Sequence, residues 1–154
     1  MPTVKHKAFA YITNAGRLLV FRQPLSAEAG IQVPAGTIRA GEAPEAAVMR
    51  EAFEETGLRG LVLAGLLGVR CDDMSKFGLD ELHRRHFFHL HCPGAPPERW
   101  RHHESDPADG SRQPIPFDFF WARLPGESPA LIAGHDALIP RLLEMLGARG
   151  ELDG

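Results

Sequence analysis

The stretch Gly36–Leu58, GTIRAGEAPEAAVMREAFEETGL, decides how this chain is read. Pro44 suits the first turn of a helix, where its missing N–H costs nothing. Gly57 suits a left-handed stop. A helix is therefore expected from about Ala43 to Thr56. At about 100° per residue, Glu51, Glu54 and Glu55 fall within a roughly 100° arc, with Arg50 at its edge about 40° from Glu54. Met49, Ala52, Phe53 and Thr56 lie opposite and supply the face expected to meet the core.

That carboxylate arc is unfavourable for folding alone. Glu51 sits at i+3 and i+4 spacing from Glu54 and Glu55, and each like-charge pair costs about 0.2–0.5 kcal/mol. Glu54 and Glu55 also occupy the last turn, where the helix dipole is negative and an anion costs about 0.3–1 kcal/mol more. A bound divalent cation is the simplest compensation. An all-oxygen donor set favours a hard ion, Mg²⁺ or Mn²⁺, which shares its coordination sphere with substrate phosphates. Arg50 is placed to hold a carboxylate by bidentate bonding. The competing reading is a solvated acidic helix face.

Working outward, Lys5–Thr13 and Arg17–Gln23 read as strands joined by a tight turn at 14–16. Ile31–Val33 is a short extended piece ended by Pro34, and Gly36–Glu42 is a polar loop. Leu61–Arg70 reads as a strand, Cys71–Leu82 as a loop, and His83–Cys92 as a strand. Pro93–Pro116 holds six prolines in 24 residues and reads as a long loop. Phe117–Leu124 is a strand. A final amphipathic helix is expected over about Asp136–Leu146, capped by Gly147. Strands, a helix, more strands and a helix predict a mixed sheet with helices on its faces.

Composition sets the outer bounds. The 154 residues predict one domain over 1–154. The net charge of −3 argues against an extended nucleic-acid surface. Three lysines stand against fourteen arginines, which suits fork-like pairing with carboxylate or phosphate. There is no apolar run of membrane-spanning length and no signal-peptide pattern at the start. Cys71 and Cys92 do not form a disulfide framework. A cytoplasmic location is the resulting expectation.

The spacing within the opening segment resembles the Nudix box, G-x5-E-x7-R-E-U-x-E-E-x-G-U, where U is a bulky aliphatic residue. Gly36, Glu42, Arg50, Glu51, Glu54, Glu55 and Gly57 occupy its seven fixed positions. Ala52 is smaller than usual at its aliphatic position, and Leu58 fits the last. The chain is thus similar to Nudix hydrolases. The resemblance implies an α/β fold, a three-layer α/β/α sandwich with a mixed β-sheet and a loop–helix–loop catalytic segment. It implies metal-dependent hydrolysis of a diphosphate linkage in a nucleoside diphosphate joined to another moiety, X, by in-line attack of water on phosphorus. By position, Glu54 and Glu55 are the principal metal ligands, and Glu51 is a ligand or the base. Arg50 orients a box carboxylate, and Glu42 supports the segment. Gly36 gives the tight loop, and a carbonyl of the Ala35-Gly36 turn reaches the metal. Gly57 is structural. Homodimers are frequent in the family, and the expectation extends to this chain.

Family members recruit a carboxylate from outside the box. Glu104 is the first choice here, with Asp106, Asp109 and Asp118 behind it. No subfamily marker identifies X. The proline expected of ADP-ribose hydrolases is missing from Arg70–Met74, and the only tyrosine is Tyr11. His83, His86, His89 and His91 crowd one strand beside Cys92, which admits zinc, but this spacing better fits hydrogen-bonded sheet residues. Two alternatives to the enzyme remain: a nucleotide-sensing module of the same fold, and a hydrolase of a non-nucleotide diphosphate.

Overall fold

The computed structural model describes residues 2–104, 114–127 and 129–152. Its strands are β1 (Thr3–Asn14), β2 (Arg17–Arg22), β3 (Ile31–Gln32), β4 (Ala35–Thr37), β5 (Val62–Asp73), β6 (Glu81–His91), β7 (Arg99–Glu104) and β8 (Ile115–Arg123). The helices are α1 (Pro44–Thr56) and α2 (Ile139–Ala148). The main sheet order is β5-β6-β1-β2-β8-β7, with β3 beside β2 and β4 beside β1. Among the described residues β1 and β6 run parallel and the other pairs are antiparallel, so the sheet is mixed.

Strand alternation builds two cores from one sheet. Ala8, Ala10 and Ile12 of β1, with Leu19, Phe21, Phe88 and Leu90, meet Ala47, Val48 and Ala52 of α1. Phe9 and Tyr11, with Leu18, Val20 and Phe87, meet Ile139, Leu142 and Leu146 of α2. The result is a helix, sheet, helix sandwich of the α/β class. The small residues of α1 bring its backbone close to the sheet, which is how Ala52 fits a position that usually carries a larger side chain. Tyr11 donates its hydroxyl proton to the His135 carbonyl at 2.6 Å and ties the sheet to the segment before α2.

Several sequence expectations change. Pro93–Pro116 is not one loop, because β7 runs through it and pairs with β8 from Arg99↔Phe120 to Glu104↔Ile115. Its alternation is nearly all polar, RWRHHE, so hydrophobic periodicity could not find it. Asp106, Asp109 and the other residues of 105–113 lie outside the described residues. The expected loop at Cys71–Leu82 shrinks, since β5 extends to Asp73 and β6 begins at Glu81 around a short 3₁₀ turn. The polar loop at Gly36–Glu42 begins as strand β4. The last helix starts at Ile139, because Pro140 is tolerated only in a first turn. Gly147 then lies inside α2, and Arg149 takes the cap position. Phe53 does not face the core: it is exposed, with the Arg59 guanidinium 5.2 Å above its ring. Among the described residues no helix is long and apolar enough to cross a membrane.

Candidate functional site

α1 begins with Pro44 in its first turn and ends at Gly57, which has φ 74° and donates its N–H to the Phe53 carbonyl at 2.9 Å. Between these limits the helix presents Arg50, Glu51, Glu54 and Glu55 to a cavity of about 460 Å³, which Ala35, Gly36, Thr37 and Glu104 also line.

Arg50 organises one side. Its Nε and Nη2 donate to the two oxygens of Glu42 at 2.8 and 2.9 Å. Nη1 donates to Glu51 Oε1 at 2.7 Å and to Glu54 Oε2 at 3.3 Å, and Nη2 also reaches the Thr37 carbonyl at 3.1 Å. One planar guanidinium thus holds three carboxylates and the loop, which the geometry of lysine could not do. Glu42 in turn accepts from the Arg39 N–H at 3.0 Å. The guanidinium holds the Glu42 carboxyl well below the usual carboxylate range, to about 2.

Deeper in, single oxygens of Glu51, Glu55 and Glu104 lie within 4.8 Å of one another. Glu55 is only 5% exposed, and its Oε2 accepts from the Ala35 N–H at 2.8 Å. Burial first, then the charges of Glu51 and Glu104, push its carboxyl well above the usual range. Burial also raises Glu51, against the pull of Arg50. Three carboxylates this close and this dry carry a desolvation penalty of several kcal/mol per ion unless paired. Oxygen donors alone suit a small hard cation, so the residues present fit a Mg²⁺ or Mn²⁺ site. Gly36 has a steric reason: a Cβ there would land on the Glu51 carboxylate.

Glu104 reaches the cluster because β7 runs along the end of α1. Trp100 Nε1 donates to the Thr56 carbonyl at 2.9 Å, and His102 Nε2 lies 3.0 Å from the Glu54 carbonyl. Both meet carbonyls that the helix end leaves without an intrahelical partner. Two residues further on the same face of the strand comes Glu104. Glu54 lies at the outer rim, with its side chain 42% exposed. Asp118 is elsewhere: it pairs with Arg101 at 2.6 and 3.0 Å and lines a different cavity. His89 is buried against the Thr13 hydroxyl at 2.7 Å, and His83 meets Glu81 at 2.9 Å. The same cavity is also lined by Lys7, Gln32, His83, Arg85 and His135.

The fold has known counterparts. One solved structure, titled as a UDP-X diphosphatase, superposes with TM-score 0.65 at 16% identity, over 97% of this chain and 66% of that one. This chain therefore spans just under two thirds of that protein's length. The ORF135 protein of E. coli matches with TM-score 0.64 at 18% identity, over 96% and 94% of the two chains. A MutT Nudix hydrolase from Burkholderia pseudomallei matches with TM-score 0.61 at 21% identity, over 91% and 98%. At such identities the likeness is one of fold. No curated protein matches the chain. The family model described as NUDIX domain, however, covers residues 5–119, from the first strand through the box and on to β8, and on that ground the chain belongs to the Nudix hydrolase family.

Proposed function

We propose that this Nudix hydrolase cleaves the diphosphate linkage of a nucleoside diphosphate joined to a moiety X, with Mg²⁺ or Mn²⁺ as cofactor. The convergence of Glu51, Glu55 and Glu104 carries the reading. Those three would hold the ion, with Glu54 at the rim and the carbonyl of Ala35 as further oxygen donors. When bound, the ion supplies positive charge to the diphosphate oxygens and lowers the pKa of a coordinated water.

The chain's own residues do the rest. Arg50 locks Glu51 and Glu54 into one geometry, which limits the reorganisation needed during reaction. Glu51 serves either as the third ligand or, its carboxyl raised by burial, as the base that takes the proton of the water attacking phosphorus. The two glycines keep the carboxylates where they are: Gly36 leaves room for Glu51, and Gly57 ends the helix just after Glu55. A structural neighbour titled as a UDP-X diphosphatase supports a nucleotide substrate.

The test is a panel of nucleoside diphosphate derivatives incubated with Mg²⁺, comparing the native chain with Glu54→Gln, Glu55→Gln and Glu104→Gln. The expected result is release of two phosphate-bearing products by the native chain and loss of at least about a hundredfold in Glu55→Gln, which removes a group acting in the transition state. Full turnover in both Glu54→Gln and Glu55→Gln would overturn the proposed site. Binding without turnover by the native chain would favour a nucleotide sensor.

A further inference from the structure

The site cavity holds charges of both signs. Besides the carboxylates it is lined by Lys7 and Arg85, which are direct partners across the parallel pair β1/β6. Both project from the sheet face that carries Phe9 and Phe87. Arg85 is a buried cation, 2% exposed, whose nearest anion among the described residues is Asp72. Its Nη1 donates to the Ala133 carbonyl at 2.6 Å and its Nη2 to the Met74 sulfur at 3.6 Å. Its Nε has no hydrogen-bond partner, and the Asp72 carboxylate is 3.8 Å away. The guanidinium lies 5.0 Å above the Phe9 ring.

Lys7 donates to the neutral Thr37 hydroxyl at 2.8 Å. The nearby Glu81 is already engaged by His83 at 2.9 Å. Burial, Lys5 and Arg85 lower the Lys7 ammonium, while Glu81 and Glu51 raise it. Lys7 is therefore within the field of both Glu51 and Arg85. Arg85 is subject to Asp72 and Arg70 instead. His135 adds no charge to this wall, because burial lowers its imidazole to about 3 and its Nδ1 accepts from the Val33 N–H at 3.2 Å.

A buried guanidinium beside a partly buried ammonium is unfavourable, and an oxyanion reaching the cavity relieves the pair. Guanidinium and ammonium groups both bind planar or tetrahedral oxyanions by charge-assisted hydrogen bonds. Resting on the hydrolase reading above, we propose that Arg85 and Lys7 form an anion subsite within the cavity, and that the X moiety of the substrate carries a second oxyanion, a carboxylate or a phosphate, which this subsite receives.

The experiment compares matched substrates in Mg²⁺: a nucleoside diphosphate hexose, the corresponding hexuronate, and the hexose derivative bearing an extra phosphate. The native chain is expected to favour an anionic member in kcat/KM by about tenfold to a hundredfold, the worth of one charge-assisted hydrogen bond. The member favoured identifies the oxyanion. Lys7→Gln and Arg85→Gln should bring that ratio toward one. Should Arg85→Gln fail to fold by circular dichroism, Arg85→Lys with Lys7→Gln carries the test. Calorimetric titration with inorganic phosphate in EDTA reads the subsite without catalysis, and binding should weaken at least about tenfold in Lys7→Gln. Equal use of neutral and anionic members by the native chain would overturn the proposal. So would variants that slow every substrate by one factor, or phosphate binding indifferent to Lys7. If no member is cleaved while Lys7-dependent phosphate binding persists, the hydrolase reading falls and the subsite stands.

Discussion

The indole N–H of Trp100 donates to the carbonyl of Thr56 at 2.9 Å, joining β7 to the C-terminal turn of α1. The same ring stacks on Phe119 at 5.1 Å between centroids. Through this contact, repeated one step on by His102 and the Glu54 carbonyl, a strand from the far edge of the sheet delivers Glu104 to Glu51 and Glu55. Trp100→Phe keeps the ring and removes the donor. It is expected to lower stability by about 0.5–1.5 kcal/mol in urea unfolding, and to weaken Mn²⁺ binding measured by electron paramagnetic resonance, because Glu104 loses its register.

Gly36→Ala tests the close approach of backbone and carboxylate. The added methyl has no room beside Glu51. Overpacking of this kind costs about 1–3 kcal/mol, and a displacement of about 1 Å at a reacting group costs about a hundredfold in rate. Loss of activity should exceed any loss of folded protein, as measured by turnover and thermal melting on the same samples.

Arg50→Lys retains the charge and discards the fork. Lysine cannot meet both oxygens of Glu42 while reaching Glu51 and Glu54. Metal affinity should fall by about tenfold to a hundredfold, the range found when a group that orients ligands is replaced. Manganese titration checks this, and a variant that binds as tightly as the native chain would remove Arg50 from its positioning role.

Metal addition should stabilise the folded chain. A ligand present at 100 times its dissociation constant contributes about 2.7 kcal/mol, which corresponds to a melting shift of roughly 5–10 °C at this chain length. Glu55→Gln should abolish the shift. Its metal-free melting temperature should equal or exceed that of the native chain, since a crowded buried charge has been removed. A variant that melts lower in EDTA and still responds to Mg²⁺ would contradict the assignment.

Two buried histidines predict acid lability. Burial lowers His89 from 6.5 to about 4 and His135 from 6.5 to about 3. Between those limits the unfolded chain binds protons that the folded chain refuses, so stability is present at neutral pH and is lost as pH falls below 6.5. Each histidine contributes a slope of up to about 1.4 kcal/mol per pH unit. Urea unfolding at pH 7 and pH 5 should show the decline, and His89→Asn should reduce the slope by about one proton.

The box was legible because its logic is local. Pro44, Gly57 and the spacing of Glu51, Glu54 and Glu55 act within one helix, where a fixed rotation per residue turns sequence distance into direction. The strand at Lys5–Thr13 was legible from its apolar run, but the two faces it presents were assigned only by the structure. The strand at Arg99–Glu104 was not legible, because Trp100 is its one apolar residue, and His102 and Glu104 beside it meet α1 only in the folded chain. Phe53 misled in the opposite sense: it lies on the side of the wheel opposite the carboxylates, yet it stays exposed, with the Arg59 guanidinium over its ring.

Sequence alone determined the helix α1, its acidic arc, the arginine at its edge and the family to which the chain belongs, because each depends on neighbours within a turn or two. Tertiary structure alone decided that Glu104 joins Glu51 and Glu55 and Asp118 does not, and that Lys7 and Arg85 face the same cavity. Those pairs lie far apart along the chain, and they meet only because β7 pairs with β8 and β6 lies parallel to β1. Strand pairing across a sheet is set by the cooperative burial of both its faces, which no local spacing encodes.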